Sequence, residues 1–300
     1  MKFEPLYVVF LLLLSSGLFA QKTDAEGYGL KGKVKSMVWT VICDSNNQDK
    51  KNHCHDRKTV AYFDEQGNKI KSHTDKMLDD SIVRTYNEMG QLVKKEIFLN
   101  KNRDLVFYRY GADNALEEEV WTYDHDLRGK KSTILKYDNK GRVISEEDNY
   151  ADSTKDRNFI YSYRVDNKDS VIERKKTDLK SHKVYLDKYS YDTHGYIKEY
   201  SFYDNGHLIS SFAYVNDERG NHLKCTHISN SLNGSVTLNT TMKYDAYNNC
   251  IEYKYNNKAA KLNGTKTSEY QYDSRGNWIK ETLTNNGFRE SVSTRVIEYY

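Results

Sequence analysis

The sequence predicts an all-β chain: antiparallel β-hairpin repeats laid side by side into a long sheet that curls or spirals into a partial shell. Three observations predict it. A short motif of an aromatic, Asp or Asn, two polar residues, Gly and an apolar residue recurs nine times after residue 58. The segments between copies alternate apolar and polar with a period of two. The composition is rich in Tyr (26 of 300 residues) and poor in aliphatics, with 37% hydrophobic and 30% charged residues, a single proline and a mean hydropathy of -0.88. That argues against an aliphatic-cored α/β enzyme and against a bundle of membrane helices. The 46 basic and 43 acidic residues are interleaved along the chain, so no basic stripe for nucleic acid can be read from it.

The elements follow in chain order. Lys2, the apolar run Leu6 to Leu14, and Ser15 to Ala20 read as a signal peptide over residues 1–20, with cleavage before Gln21. The expected destination is therefore the periplasm, the cell surface or the medium, with no membrane span after the leader is removed. Residues 21–58 read as a lead-in and a first hairpin. Gly27-Tyr28-Gly29-Leu30-Lys31-Gly32 matches a dinucleotide-loop pattern in letters only, since no strand precedes it; it is expected to be a flexible approach to a strand from Val34 to Ile42. Cys43 and Cys54 flank a polar run resembling a hairpin loop, and outside the cytoplasm they are expected to form a disulfide. Cys225 and Cys250 are not, because the strand expected between theirs puts them two inter-strand spacings apart, about 9.6 Å, against a disulfide limit of roughly 7 Å.

Residues 59–300 carry the repeats. Clear copies are Phe63-Asp64-Glu65-Gln66-Gly67-Asn68, Tyr86-Asn87-Glu88-Met89-Gly90-Gln91-Leu92, Tyr137-Asp138-Asn139-Lys140-Gly141-Arg142-Val143, Tyr191-Asp192-Thr193-His194-Gly195-Tyr196-Ile197 and Tyr272-Asp273-Ser274-Arg275-Gly276-Asn277-Trp278. Degenerate copies start at Tyr110, Tyr163, Tyr214 and Tyr244, with Asn248 in the turn Gly position of the last and Ser170 near that of the copy at Tyr163. The aromatic ends a strand, the Asp or Asn starts a turn by bonding its own backbone, and Gly supplies the positive φ that closes it. Asp204-Asn205-Gly206 and Asn285-Asn286-Gly287 mark tight turns at the other ends of hairpins. Nine hairpins give about eighteen strands, more than an open twisted sheet usually carries without coiling.

This series resembles the YD or Rhs repeats of bacterial surface and toxin proteins and of teneurins, over about residues 59 to 283. The leader and repeat style look like those of exported Bacteroidetes proteins. The resemblance implies hairpins laid into a sheet that spirals or closes into a shell. Toxin-carrying members release a C-terminal cargo near a Pro-containing motif. Here the only proline is Pro5 and the repeat pattern runs through Thr294 to Tyr300, so toxin delivery is not expected.

Candidate chemistry is sparse. His53 and His55 share a strand face, but a closed metal site needs further ligands. Asp124 to Gly129 half resembles a calcium loop whose closing carboxylate position falls on Leu135. Paired carboxylates such as Glu146 and Glu147 point to opposite faces. No catalytic, metal or cofactor residue is assigned. Asn233-Gly234-Ser235, Asn239-Thr240-Thr241 and Asn263-Gly264-Thr265 match the N-glycan acceptor. The expected ligand surface is the aromatic face, with Tyr189, Tyr191, Tyr200, Tyr270 and Tyr272 recurring at repeat spacing and suited to stacking on sugars. The expected function is a non-enzymatic scaffold of the cell envelope or surface whose partner is a glycan or a surface protein. The alternative is a glycan-processing enzyme using carboxylates on the concave face.

Overall fold

The computed structural model describes residues 24–44, 55–75, 80–99, 102–123, 131–150, 153–231, 234–257 and 262–300. The expected leader, His53, Cys54 and the Asp124 to Gly129 loop lie outside them. A single helical turn, α1 (Asp24–Gly27), precedes β1 (Val34–Cys43), β2 (Arg57–Phe63), β3 (Lys69–Thr74), β4 (Asp80–Tyr86), β5 (Leu92–Leu99), β6 (Asn102–Tyr110) and β7 (Leu116–Tyr123). Then come β8 (Lys131–Tyr137), β9 (Val143–Tyr150), β10 (Arg157–Val165), β11 (Val171–Asp178), β12 (Val184–Tyr191), β13 (Ile197–Asp204) and β14 (His207–Asn216). The series ends with β15 (His222–Ser231), β16 (Gly234–Tyr244), β17 (Cys250–Asn257), β18 (Leu262–Tyr272), β19 (Trp278–Asn285) and β20 (Phe288–Tyr299).

Each strand pairs antiparallel with the next, and β20 pairs with β1 from Val34↔Tyr299 to Cys43↔Ser291. The sheet is therefore a closed ring of 20 strands. This corrects the expectation of a partial, curled shell, and the reason lies in the turns. At Asp64, the amide of Asp64 donates to the Asn68 carbonyl (2.9 Å) and that of Gly67 to the Asp64 carbonyl, while Oδ1 of Asp64 accepts from the amides of Gln66 and Asn68. The same bonding recurs at Asn87, Asp138, Asp166, Asp192, Asp217, Asp245 and Asp273; Gly111 has the backbone bonds without the carboxylate.

The residue three after the turn's start takes positive φ: Gly in six copies, and Asn114, Asp169 and Asn248 in the degenerate ones, so the position near Ser170 belongs to Asp169. In the copies at Tyr163 and Tyr214 the turn opens at Asp166 and Asp217, two residues later than the motif frame places it. A register shift lies beside every one of these turns. Each hairpin is thus a turn followed by a left-handed residue and a bulge, a geometry that increases local right-handed twist. These nine bulges lie on one rim and two further register shifts lie on the other, beside Asn205-Gly206 and Asn286-Gly287, and their added twist favours coiling of the sheet until its edges meet. The opposite rim includes the two-residue turns Asn205-Gly206 and Asn286-Gly287, with all four residues at positive φ, as the sequence predicts.

The seam repeats the motif with a chain break in it. Tyr300 donates its amide to the Lys33 carbonyl (3.1 Å) as Asp64 does to Asn68, and Gly32 (φ 82) stands where Gly67 (φ 85) does. Val34 faces Tyr299 as Lys69 faces Phe63, again beside a register shift. The tenth turn of the rim is built from the two ends of the described chain. Residues 24–33 are not a flexible approach: Ala25 and Leu30 pack with Val34, Met37, Ala61 and Phe63 into a hydrophobic cluster, and the Asn277 side chain, fully buried, holds both the amide and the carbonyl of Lys31.

A Cβ on Gly32 would sit 2.9 Å from Nη1 of Arg275, whereas one on Gly90, at a similar φ of 76, meets nothing. Gly90→Ala is expected to cost about 1 kcal/mol for the backbone alone, and Gly32→Ala more. Urea denaturation checks this; equal losses would mean that the seam turn is no tighter than an uninterrupted one.

Candidate functional site

Register assigns every strand residue to one of two faces. Val106, Thr133, Asp148, Phe159, Asp187, Tyr189, Thr240, Ser293 and Arg295 are buried and fall on the same face, on which residues 24–33 also pack. This is the inner wall. The outer wall carries Lys94–Glu96, Arg109–Glu118, Arg164–Glu173, Lys243–Glu252 and Lys35–Glu298 ion pairs, with isolated apolar residues such as Phe107 and Val296. Twenty strands about 4.8 Å apart, tilted by about 40°, enclose a bore about 40 Å across when round. The inner-wall contacts described below join strands one or two apart, so the wall is one sheet thick.

Tyrosine hydroxyls tie most repeats to the one before. Tyr86 donates to the Lys69 carbonyl, Tyr110 to Leu92, Tyr163 to Val143, Tyr191 to Val171 and Tyr244 to His222, at 2.7 to 3.2 Å. Each acceptor is the first residue of a return strand, beside the bulge. Tyr272 and Tyr299 instead reach Asp245 and Asp273 in the preceding turn. Burial first opposes ionisation of Asp138, Asp192, Asp245 and Asp273, but their backbone and side-chain hydrogen bonds prevail and hold them below the usual carboxylate range.

The five tyrosines expected to bind ligand all lie on the inner wall, in two patches. Tyr189 and Tyr200 are cross-strand partners with ring centroids 5.3 Å apart, and Phe212 (5.9 Å) and His227 (4.1 Å further, stacked nearly parallel) continue the row across β14 and β15. Tyr191 lies two residues along β12. The second patch, on β18, holds Tyr270 and Tyr272 with centroids 6.2 Å apart. Four of the five hydroxyls are engaged within the wall: Tyr191 on Val171, Tyr200 on Asp187 (2.7 Å), Tyr270 on Glu281 (3.0 Å) and Tyr272 on Asp245. The Tyr189 hydroxyl is buried without a partner.

Charged groups that the repeat pattern does not single out are threaded between the rings. Arg174 donates Nε to Asp187 (2.9 Å), which is 3% exposed and also takes the Tyr200 hydroxyl. Lys176 binds Glu146 (2.7 Å), which also takes the Tyr161 hydroxyl, and lies 3.8 Å over the Phe159 ring. Burial first, then these carboxylates, pushes Tyr161 and Tyr200 well above their ordinary value, so both remain neutral donors. Beside the second patch, the Arg295 guanidinium lies 3.5 Å over Trp278 and 5.3 Å from Trp39, and burial lowers it to about 10. Burial also lowers His222 and His227.

Among the described residues no group of three metal-ligating side chains occurs. Cys225 and Cys250 are free thiols separated by β16. On the outer wall a cavity of about 450 Å³ is lined by Asn239, Thr241, Lys254, Asn256, Asn263 and Thr265. It gathers two of the three glycan-acceptor asparagines in one cross-strand row, Asn239↔Asn256↔Asn263.

No family model matches the chain, and no curated protein sequence does. Among solved structures, the TcdB2-TccC3-Cdc42 complex aligns at 14% identity with a TM-score of 0.40, over 76% of this chain and 14% of that one. Porin-like proteins align from Bacteroides uniformis (10% identity, TM-score 0.36, 88% of this chain and 96% of that) and from Bacteroides vulgatus (12%, 0.37, 90% and 99%). The chain thus spans about one seventh of the toxin chain.

The two kinds of hydroxyl separate experimentally. Tyr272→Phe strips a bond from Asp245 and is expected to cost about 1 to 2 kcal/mol. Tyr189→Phe removes an unsatisfied buried hydroxyl and is expected to leave stability unchanged or raised. Urea midpoints of the two variants decide it, and a large loss at Tyr189 would reveal a hydroxyl partner in solution.

Proposed function

We propose that the chain is an exported, non-enzymatic β-repeat barrel of YD or Rhs type, acting at the cell envelope or surface as a scaffold that binds a glycan or a surface protein on its inner wall. The observation that carries the reading is the asymmetry of the two faces. Rows of aromatic rings line the inside, while the outside carries solvent-exposed ion pairs with isolated apolar residues between them.

A lipid-facing barrel has the reverse arrangement, because a Lys or Arg at the bilayer midplane costs about 2 to 4 kcal/mol. The outer wall is therefore read as facing water. A scaffold role is favoured over hydrolysis by the engagement of the inner carboxylates in the wall itself. Glu146, Asp187 and Glu281 each accept bonds from neighbouring side chains, whereas a glycosidase needs a pair of carboxyl groups free to flank the scissile bond.

Export and the expected bridge share one test. Intact mass after secretion is expected to begin at Gln21, and to fall by two hydrogens in a peptide pair joining Cys43 to Cys54. A mature mass that retains residues 1–20 would remove the basis for an envelope location.

Binding has its own test, a glycan and surface-protein array probed with the mature chain. Any partner found is expected to weaken at least about tenfold on Phe212→Ala and to be indifferent to Lys243→Met on the outer wall. A partner with the opposite pattern, or hydrolysis of any arrayed polysaccharide, would overturn the reading.

A further inference from the structure

Several cations of the inner wall are neutralised by a carboxylate, and Arg295 stacks on Trp278 and Trp39 instead. Arg174 and Lys176 each meet a carboxylate within 3 Å, and Lys266 meets Glu290 at 2.9 Å. Arg84 and Lys95 do not. They are direct cross-strand partners on β4 and β5, so two like charges stand opposite each other on the enclosed face, an arrangement that is destabilising in itself. Nη1 of Arg84 is buried with no hydrogen-bond partner. Glu119 on β7, an acid of the same face, is already committed, with Oε1 accepting from the Tyr137 hydroxyl (2.8 Å) and Oε2 from Nε1 of Trp121 (3.0 Å). Lys95 places its ammonium 4.4 Å over the Trp121 ring.

From this juxtaposition we propose that Arg84 and Lys95 form a binding site for an oxyanion, a sulfate, phosphate or carboxylate group carried by the ligand of the lumen. The inference rests on the inner wall being the ligand-binding face, and adds the ligand's charge. A guanidinium fork and an ammonium converging from adjacent strands match an oxyanion's several acceptors, and bonds to charged partners are the stronger kind. Burial first, and the Arg84 charge second, pull the Lys95 ammonium below its ordinary value, with Glu119 acting the other way. An arriving anion relieves that strain. The neighbouring Trp121 and Tyr108, the latter opposite Glu119, offer ring faces for the group that bears the charge. Without an anion the pair is a standing cost to the fold, and this separates a binding site from a structural ion pair, whose removal destabilises.

The test is thermal unfolding of the mature chain in chloride, sulfate, phosphate and glucuronate at equal ionic strength, for wild type, Lys95→Met, Arg84→Gln and the outer-wall control Lys243→Met. Wild type is expected to show a saturable rise in melting temperature with at least one of the three oxyanions, and the arm that responds identifies the group. Lys243→Met should keep that rise, which subtracts general salting effects of sulfate and phosphate. Lys95→Met is expected to melt higher than wild type in chloride, and its apparent affinity for the anion to fall at least about tenfold. Arg84→Gln reports the same loss should the Met variant misfold. An equal rise in wild type and both inner variants, or a Lys95→Met that melts lower in chloride, would overturn the proposal. A saturable anion response with no partner on the array would sink the envelope-scaffold reading while leaving this site in place.

Discussion

One kind of hydrogen bond, repeated, underlies the ring: the hydroxyls of Tyr86, Tyr110, Tyr163, Tyr191 and Tyr244 each rest on the carbonyl that opens the return strand of the repeat before, and those of Tyr137, Tyr272 and Tyr299 reach an acidic side chain of the repeat before instead. A bulge disrupts the ladder where it occurs, and an unpaired backbone carbonyl on an enclosed face costs free energy comparable to a lost hydrogen bond. Tyr is the side chain that spans one strand spacing and ends in a donor. It explains why a chain with so little aliphatic material holds together, since each ring covers its neighbour and its hydroxyl pairs the bulge. The hydrophobic cluster under residues 24–33 is local to the seam and serves the last join rather than the whole.

Much of this was legible in the sequence, for a physical reason. Turn chemistry is local: Asp or Asn at the start and Gly three residues on encode backbone angles without reference to the rest of the fold. The clear copies and both Asn-Gly turns therefore read directly. The copies at Tyr163 and Tyr214 are framed two residues early because Val165 and Asn216, not aromatics, precede their turns, so the frame falls on the tyrosine two residues back on the same face. Closure was not legible. It depends on the summed twist of the bulges and on Tyr299, Tyr300, Gly32 and Lys33 meeting across nearly the whole chain, a relation that no window of sequence contains. The segment around the glycines from 27 to 32 reads as slack for the same reason, since Ala25 is held by Gly67 and Lys31 by Asn277.

The site was half legible. Period-two alternation puts the tyrosines on one face, and that assignment is independent of whether the sheet is open or closed. Which hydroxyls are spoken for is a matter of cross-strand register, and so is the company the rings keep. Arg84, Lys95, Arg174 and Asp187 look like ordinary surface charges in a chain that is 30% charged. Only pairing shows that two of them meet a partner and two meet each other.

The split turn at the seam sets a rule for how such a ring can change size. First and last strands must run antiparallel to complete that turn, so the strand number has to be even, and length can be gained or lost only one whole hairpin at a time. Each step alters the circumference by two strand spacings and leaves both walls, the rim and the join chemically as they were. Calibre is thus a digital property of this architecture, adjustable by duplication or deletion in the gene with no residue needing to be redesigned at the closing point.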